Sequence, residues 1–434
     1  MKGIVISAPM TGSGKTTVTL GLLSALIKRG ISVQPFKVGP DFIDPGLHEI
    51  AAGVPSHNLD GWMLTREANE FVFTRASFGK DVAIVEGVMG LYDGFDGKSD
   101  RGSTAEIAKW LRLPVLLVID AYPMARSAAA IIHGLRSFDR GVDIGGVVFN
   151  RVAGEGHYRI LADAVRDTPI LGWLPVNPSI EIPERHLGLF TAKEITASRI
   201  QAIGDFVAQH VDLDRLLATM ERPTCAEYSQ SVFKSGKTRV ALAYDRAFSF
   251  YYHANRIALE EAGAQIVEFS PLMDSGIPEA DLLYIGGGYP ELYRSELEAN
   301  TSMRQSVRTF IESGKKFYAE CGGLMYLSEA IGDARMVGIL PARIEMTDRL
   351  VDFGYCEITT HEDSILGSAG TIARGHQFHY SRSCGSHGNL YEVRQGERSY
   401  QEGFCFANGV ASYVHLHFLS NPALARNMLH SSGK

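Results

Sequence analysis

Hydrophobic positions along this chain alternate between two kinds of run. Short unbroken apolar stretches at 3–7, 33–38, 82–86, 115–120 and 145–150 are separated by longer stretches, the clearest of them a helical run at 15–29. Continuous apolar strands separated by helices predict a parallel sheet covered on both faces, which is a doubly wound α/β unit. A second alternation starts at 240–244 and runs through 266–269, 282–285 and 316–319, predicting another open α/β sheet. After Met336 the runs shorten and Gly, Asp and Ser punctuate them, a β-like pattern, before a closing helix expected near 422–429. Between the two alternations, 221–237 carries turn formers without a clear period and is the expected linker. The expected domains are therefore 1–220 and 238–434, and no internal repeat unifies them.

Length supports this division, because single cores stop growing at about 250–300 residues and the chain has 434. Hydrophobic residues make up 45% and charged residues 21%, so each half can bury a core of its own. The net charge of −7 argues against nonspecific polyanion binding, and nucleic acid is not an expected partner. The cysteines Cys225, Cys321, Cys356, Cys384 and Cys405 are odd in number and lack CxxC spacing. They indicate neither a disulfide framework nor a zinc ribbon, and they suit a reducing compartment. The apolar opening is too short for a signal-peptide core and no run approaches a membrane span, so the expected location is cytoplasmic with no membrane partner.

Candidate chemistry begins after the first strand, at Ala8-Pro9-Met10-Thr11-Gly12-Ser13-Gly14-Lys15-Thr16-Thr17. A glycine-rich turn from strand to helix aims backbone N–H groups and the helix N-terminus at a polyphosphate. Gly12, Gly14 and Thr17 belong to that cradle, Lys15 reaches the β and γ phosphates, and the Thr16 hydroxyl ligates magnesium. Pro9 departs from the simple GxxxxGK[ST] spacing, and the variant resembles the loop of dethiobiotin synthetase and its relatives. Further on, Lys37, Asp41, Asp44, Glu86 and Asp93 all follow strands, at the edge of an open sheet where ligands bind.

Acidic residues in Gly and Pro turns commonly cap helices or make Asx turns, but four that each follow a strand point to a shared site. Thr16, Asp41 and Glu86 are the expected Mg²⁺ ligands. Asp41, Asp44 and Asp93 are expected at substrate activation, and Lys37 is expected to offset charge on a transferring phosphoryl group. His48 and His186 read as structural residues. Ser103 and Thr104 read as an N-cap for the helix that follows. Asn150, at the end of a strand, is expected to meet an adenine edge, as the corresponding Asn does in the dethiobiotin synthetase group.

The second half contains an apolar strand, then Glu320-Cys321-Gly322-Gly323, then a helix. A tight turn of this kind lifts a nucleophile out of the sheet, and the helix N-terminus favours thiolate. The other cysteines read as small core or surface residues. Gly287 and Gly288, in the glycine run after another strand, are expected to supply oxyanion-hole N–H groups. Near the end of the chain His415 and His417 share one face of an extended segment, and spacing does not choose between them as the base.

These segments, with 244–252, 375–380 and 413–415, make the sequence resemble the cobyrinic acid a,c-diamide synthase family over essentially its whole length. The resemblance implies an N-terminal P-loop doubly wound domain followed by a C-terminal class I glutamine amidotransferase-like α/β domain. It implies that ATP and Mg²⁺ convert the a and c acetates of a corrin to acyl phosphates, which ammonia made at Cys321 displaces, in cobalamin biosynthesis. Implied partners are cobyrinic acid or a related tetrapyrrole, ATP and L-glutamine; a homodimer is left open. The Tyr-x-His match selects His415 as the base. The Glu that related class I enzymes carry two positions later is His417 here, which leaves the partner of His415 unassigned and implies a Cys–His dyad. Gln377 stands where the family commonly has Glu. His376 and His379 either line the macrocycle site or a domain interface, or are structural.

Two rival readings accompany this one. The first keeps the chemistry but moves it to hydrogenobyrinic acid or nickel sirohydrochlorin. The second is a P-loop regulatory protein that only binds, against which the Cys321 turn and the carboxylate set both speak.

Overall fold

Strands whose residues are all apolar need cover on both faces, and the N-terminal unit supplies it. In the computed structural model, β1 (Lys2–Ser7), β2 (Val33–Val38), β3 (His57–Leu59), β4 (Val82–Glu86), β5 (Val115–Asp120), β6 (Ile144–Val152) and β7 (Ile170–Pro175) form one sheet. Every pairing is parallel, in the order β3-β2-β4-β1-β5-β6-β7. Helix Lys15–Lys28 packs on it through Val18, Leu22 and Leu26, and is covered in turn by Ile203 and Val207 of helix Ala197–His210. Each such buried side chain contributes roughly 1.5–3 kcal/mol. Strands β3 and β7 are additions to the expected set, because the three residues of β3 are too few to show a hydrophobic period. The chain leaves β1 towards β2 on one side and reaches β5 on the other, so the end of β1 is the point where strand order reverses.

The described residues are 1–434 apart from 123, 181, 183–195, 224–237, 386–387, 407 and 431–434. They divide into two compact units, Met1–Ser229 and Gln230–Lys434. His186, Cys225 and most of the expected linker lie outside the described residues. No helix among the described residues is long and apolar enough to cross a membrane.

In the C-terminal unit, β8 (Thr238–Ala243), β9 (Ala264–Phe269), β10 (Leu282–Ile285) and β11 (Lys316–Glu320) make the expected open sheet. Its order is β9-β8-β10-β11, followed by Gly409–Ser412 and the edge strand Phe404–Phe406. All its pairings are parallel except that of the edge strand. The β-like region resolves into two further sheets. The larger of them is antiparallel, built around Asp352–Thr360 and Ile372–His379, with His415–Leu416 as its last strand. The closing helix is Ala423–His430.

Candidate functional site

At the end of β1 the backbone turns through Gly12 (φ 80°) and Gly14 (φ 95°), values that L side chains rarely adopt. A Cβ on Gly14 would lie 2.1 Å from Asn150 Nδ2, so packing excludes a side chain there as well. Lys15 Nζ donates to Met89 O at 2.6 Å and Met10 O at 3.3 Å, which lays the side chain across the loop. Burial, helped by Lys37, lowers its pKa. A cavity of about 900 Å³ opens here. Gly12, Gly14, Lys15, Thr16, Thr17, Lys37, Asp41, Asp44, Glu86 and Asn150 all line it, together with Pro175 at the end of β7 and Val176 after it.

The parallel register of β2 with β4 sets Lys37 beside Glu86. Glu86 Oε1 accepts from the Thr16 hydroxyl (2.8 Å) and from Lys37 Nζ (2.9 Å), and its Oε2 lies 2.7 Å from His48 Nε2. Lys37 Nζ also donates to Asp44 Oδ2 at 2.5 Å and lies 3.9 Å from Asp41 Oδ2. Burial opposes the Lys37 charge, but Asp44, Glu86 and Asp41 outweigh it and push its pKa up. Burial also opposes charge on Glu86, yet Lys37 and the His48 hydrogen bond hold that carboxyl well below the usual range. Asp44 moves the other way, raised by burial that Lys37 does not offset.

Two of the expected residues also have local partners. Asp93 does not line the cavity: its Oδ2 accepts from Gly90 N at 2.9 Å and so holds its own turn. Asn150 lines it, but its amide is already engaged, donating to Ser13 O (3.0 Å) and accepting from Arg151 N (2.9 Å). These bonds brace the phosphate loop and use one N–H and one lone pair of an amide that has two of each. His48, set aside as structural, is fully buried on Glu86. Its sequence signal was the spacing of four from Asp44, which puts both on one helical face. The N-cap is as expected: Ser103 Oγ accepts from Glu106 N at 3.1 Å.

In the C-terminal unit, Cys321 sits between β11 and helix Gly322–Leu327 with φ 46° and ψ −100°. A non-glycine residue held there stores about 1–3 kcal/mol of strain. Cys321 N donates to Ser412 O at 2.6 Å, since β11 and Gly409–Ser412 run parallel and end together. The chain then continues through Tyr413 and Val414 to His415. A Cβ on Gly287 would lie 2.3 Å from His415 Cε1, and one on Gly322 would lie 3.1 Å from Gly288 N, so cysteine turn, glycine loop and histidine meet at one sheet edge. Burial, with Glu291 adding to it, raises the Cys321 thiol pKa. Burial, with His376 and His379, lowers that of His415.

Family models match both units: one described as a CobQ/CobB/MinD/ParA nucleotide binding domain over residues 4–190, and one as a CobB/CobQ-like glutamine amidotransferase domain over 239–423. Among full-length relatives, the cobyrinate a,c-diamide synthase of Listeria monocytogenes is 43% identical over 99% of this chain and 99% of its own. That of Picrophilus torridus is 42% identical over 99% of each. That of Salmonella typhimurium is 40% identical over 98% of this chain and 97% of its own. The chain belongs to the cobyrinate a,c-diamide synthase family. Its two α/β units thus combine nucleotide binding with a glutamine amidotransferase domain.

The two glycines expected at the oxyanion hole have different settings. Gly287 N is committed to Phe250 O at 3.3 Å, whereas Gly288 N has no acceptor among the described residues and adjoins Gly322. Gly288 N and the Gly322 turn thus lie side by side next to Cys321. A Cβ on Gly288 would lie 2.0 Å from Ala247 O. Gly288→Ala is expected to displace the loop and lower glutamine-supported turnover by about 100-fold, while synthesis from ammonium persists; steady-state assays with the two nitrogen sources check this.

The histidines of the family segment 375–380 are buried rather than exposed to a large ligand. His376 Nδ1 lies 2.7 Å from the Tyr252 hydroxyl and its ring stacks on His415 at 4.9 Å; His379 stacks on Tyr413 at 4.0 Å. Gln377 is also buried and accepts from the Tyr400 hydroxyl. His417 faces Tyr252, ring to ring at 4.7 Å, while His415 faces Gly287.

Proposed function

We propose that this chain amidates the a and c acetate carboxylates of cobyrinic acid through acyl phosphates, using ATP and glutamine. It is an ATP-dependent carbon–nitrogen ligase of cobalamin biosynthesis with glutamine as amide donor. The observation that carries the residue-level reading is the strained Cys321 backbone beside the glycine loop and His415, in a chain whose other unit keeps a lysine-bearing phosphate loop. The labour divides between 1–220, the amide synthase, and 238–434, the glutaminase. A free catalytic thiol suits the reducing cytoplasm.

In the first step an acetate oxygen attacks the γ phosphorus of ATP and ADP leaves. Gly12, Gly14, Lys15 and Thr17 cradle the phosphates, and Lys37 balances the charge of the transferring group. Thr16 and Glu86, with Asp41 nearby, are the residues that would hold Mg²⁺, which supplies a Lewis acid to the phosphate oxygens. The donor set fits that ion. It is all oxygen, and the three residues line one cavity with the phosphate loop. Asp44, held on Lys37 Nζ at 2.5 Å and lining the cavity, is placed to position the incoming acetate.

At the other site Cys321 Sγ attacks the glutamine amide carbon. His415 takes the thiol proton and passes it to the departing ammonia, while Gly288 and Gly322 N–H groups face the oxyanion. Water cleaves the thioester to glutamate. Ammonia then attacks the acyl phosphate carbon, phosphate leaves and the amide remains; the cycle runs once for each acetate.

The full chain, given cobyrinic acid, ATP, Mg²⁺ and glutamine, is expected to yield the a,c-diamide with one ADP per amide, read by mass spectrometry and a coupled ADP assay. Hydrogenobyrinic acid and nickel sirohydrochlorin run in parallel identify the preferred macrocycle. Turnover of none of the three overturns the reading.

A further inference from the structure

The C-terminal unit buries a carboxylate that the steps above do not use. Glu320 ends β11 one residue before Cys321 and is 2% exposed. Its Oε1 accepts from the Tyr318 hydroxyl (2.7 Å) and from Leu416 N (3.1 Å), and its Oε2 accepts from the Tyr284 hydroxyl (3.1 Å). A carboxylate has about four acceptor sites. The three filled here leave one, on Oε2, and that oxygen lies 4.0 Å from His415 Nδ1. The Leu416 bond also ties the carboxylate to the residue next to His415, so the two side chains are registered by backbone as well as by proximity.

We propose that Glu320 is the positioning residue of His415, giving from the nucleophile's own strand the orienting carboxylate that the sequence lacks two places after the histidine. This rests on the reading of Cys321 and His415 as the glutaminase pair, and it replaces the dyad with a triad of different chain order. A carboxylate behind an imidazole fixes the ring and stabilises the imidazolium formed as the thiol proton is taken. Such contacts are commonly long before substrate enters and tighten in the complex.

The titratable groups facing the pair are Tyr284 and Tyr318 from β10 and β11, Tyr251 after β8, Cys321, and His376 and His379 from the strand Ile372–His379. Burial pushes Glu320 up to about 8, against the hydrogen bonds from Tyr318, Tyr284 and Leu416 N. The orienting form is the ionised carboxyl, so the acid limb of kcat/KM for glutamine is expected to follow ionisation of Glu320 beside His415.

Glu320→Gln removes the carboxyl behind His415, whose pKa burial and two histidines lower, so the acid limb moves to lower pH. The kcat with glutamine falls roughly 10- to 100-fold, while KM for glutamine stays near that of the wild type. Tyr284→Phe removes a donor that lowers the Glu320 pKa, so the limb moves to higher pH. Synthesis from added ammonium, which bypasses this site, continues in both variants. A limb that does not move in Tyr284→Phe, or a Glu320→Gln chain that matches the wild-type kcat, overturns the proposal. Should Glu320→Gln not fold, the direction of the Tyr284→Phe shift decides alone. A Cys321→Ala chain that still used glutamine would instead remove the reading on which the proposal rests.

Discussion

Cys321→Ala is expected to lower glutamine-supported amidation by about 10⁴-fold or more, with synthesis from ammonium chloride at alkaline pH close to the wild-type rate. No other described cysteine shares the setting. Cys321 alone has a positive φ and a place between a parallel strand and a helix, whereas Cys356 lies within a strand and Cys384 and Cys405 lie on short antiparallel strands. Alanine keeps the strained backbone and removes only the sulfur, so the β11 turn and the glycine loop are preserved. The check is a steady-state comparison of the two nitrogen sources, with glutamate release measured separately. Equal loss of both activities would count against a separate ammonia-producing site.

Glu86→Gln is expected to lower both activities together, on the order of 100-fold, because both nitrogen sources meet the same acyl phosphate. The substitution preserves size and removes the charge on which Thr16, Lys37 and His48 converge. Lys37 keeps Asp44 and Asp41, so the fold is expected to survive with a lower melting temperature rather than collapse. ADP release with and without macrocycle, measured beside a thermal melt, distinguishes loss of phosphoryl transfer from loss of fold. A variant impaired only with glutamine would show that Glu86 does not serve the phosphoryl step.

Local rules made much of this chain legible. The phosphate loop, the Cys321 turn and the strands β1, β2, β4, β5, β8, β10 and β11 each depend on contiguous residues, and apolar run length and glycine placement report them directly. Lys37, Asp41, Asp44 and Glu86 were legible for a related reason. In a parallel sheet the ends of successive strands fall on one edge, so distant segments can be placed together without knowing side-chain geometry. Asp93 follows a strand equally well, and its diversion to Gly90 depends on a three-residue turn that position in the fold does not specify. Gly287 and Gly288 are adjacent in sequence, yet an isolated bridge to Phe250 engages only Gly287.

By itself, then, the sequence determined two α/β units, a phosphate loop with its lysine and carboxylates, and a nucleophile on a strand-to-helix turn, because each is written in adjacent residues or in strand order. Spacing alone left His415 and His417 equivalent, and the tertiary structure gives the two rings different surroundings. In an extended segment the two are equivalent, but the strand ends at Leu416 and a 3₁₀ turn begins after His417, which sends one ring to Gly287 and the other to Tyr252. Tertiary structure likewise brought His48 to Glu86 and Glu320 to His415, partners 38 and 95 positions apart. A buried charge must find its counterpart across the fold, and nothing in the spacing of one-dimensional neighbours records where that counterpart lies.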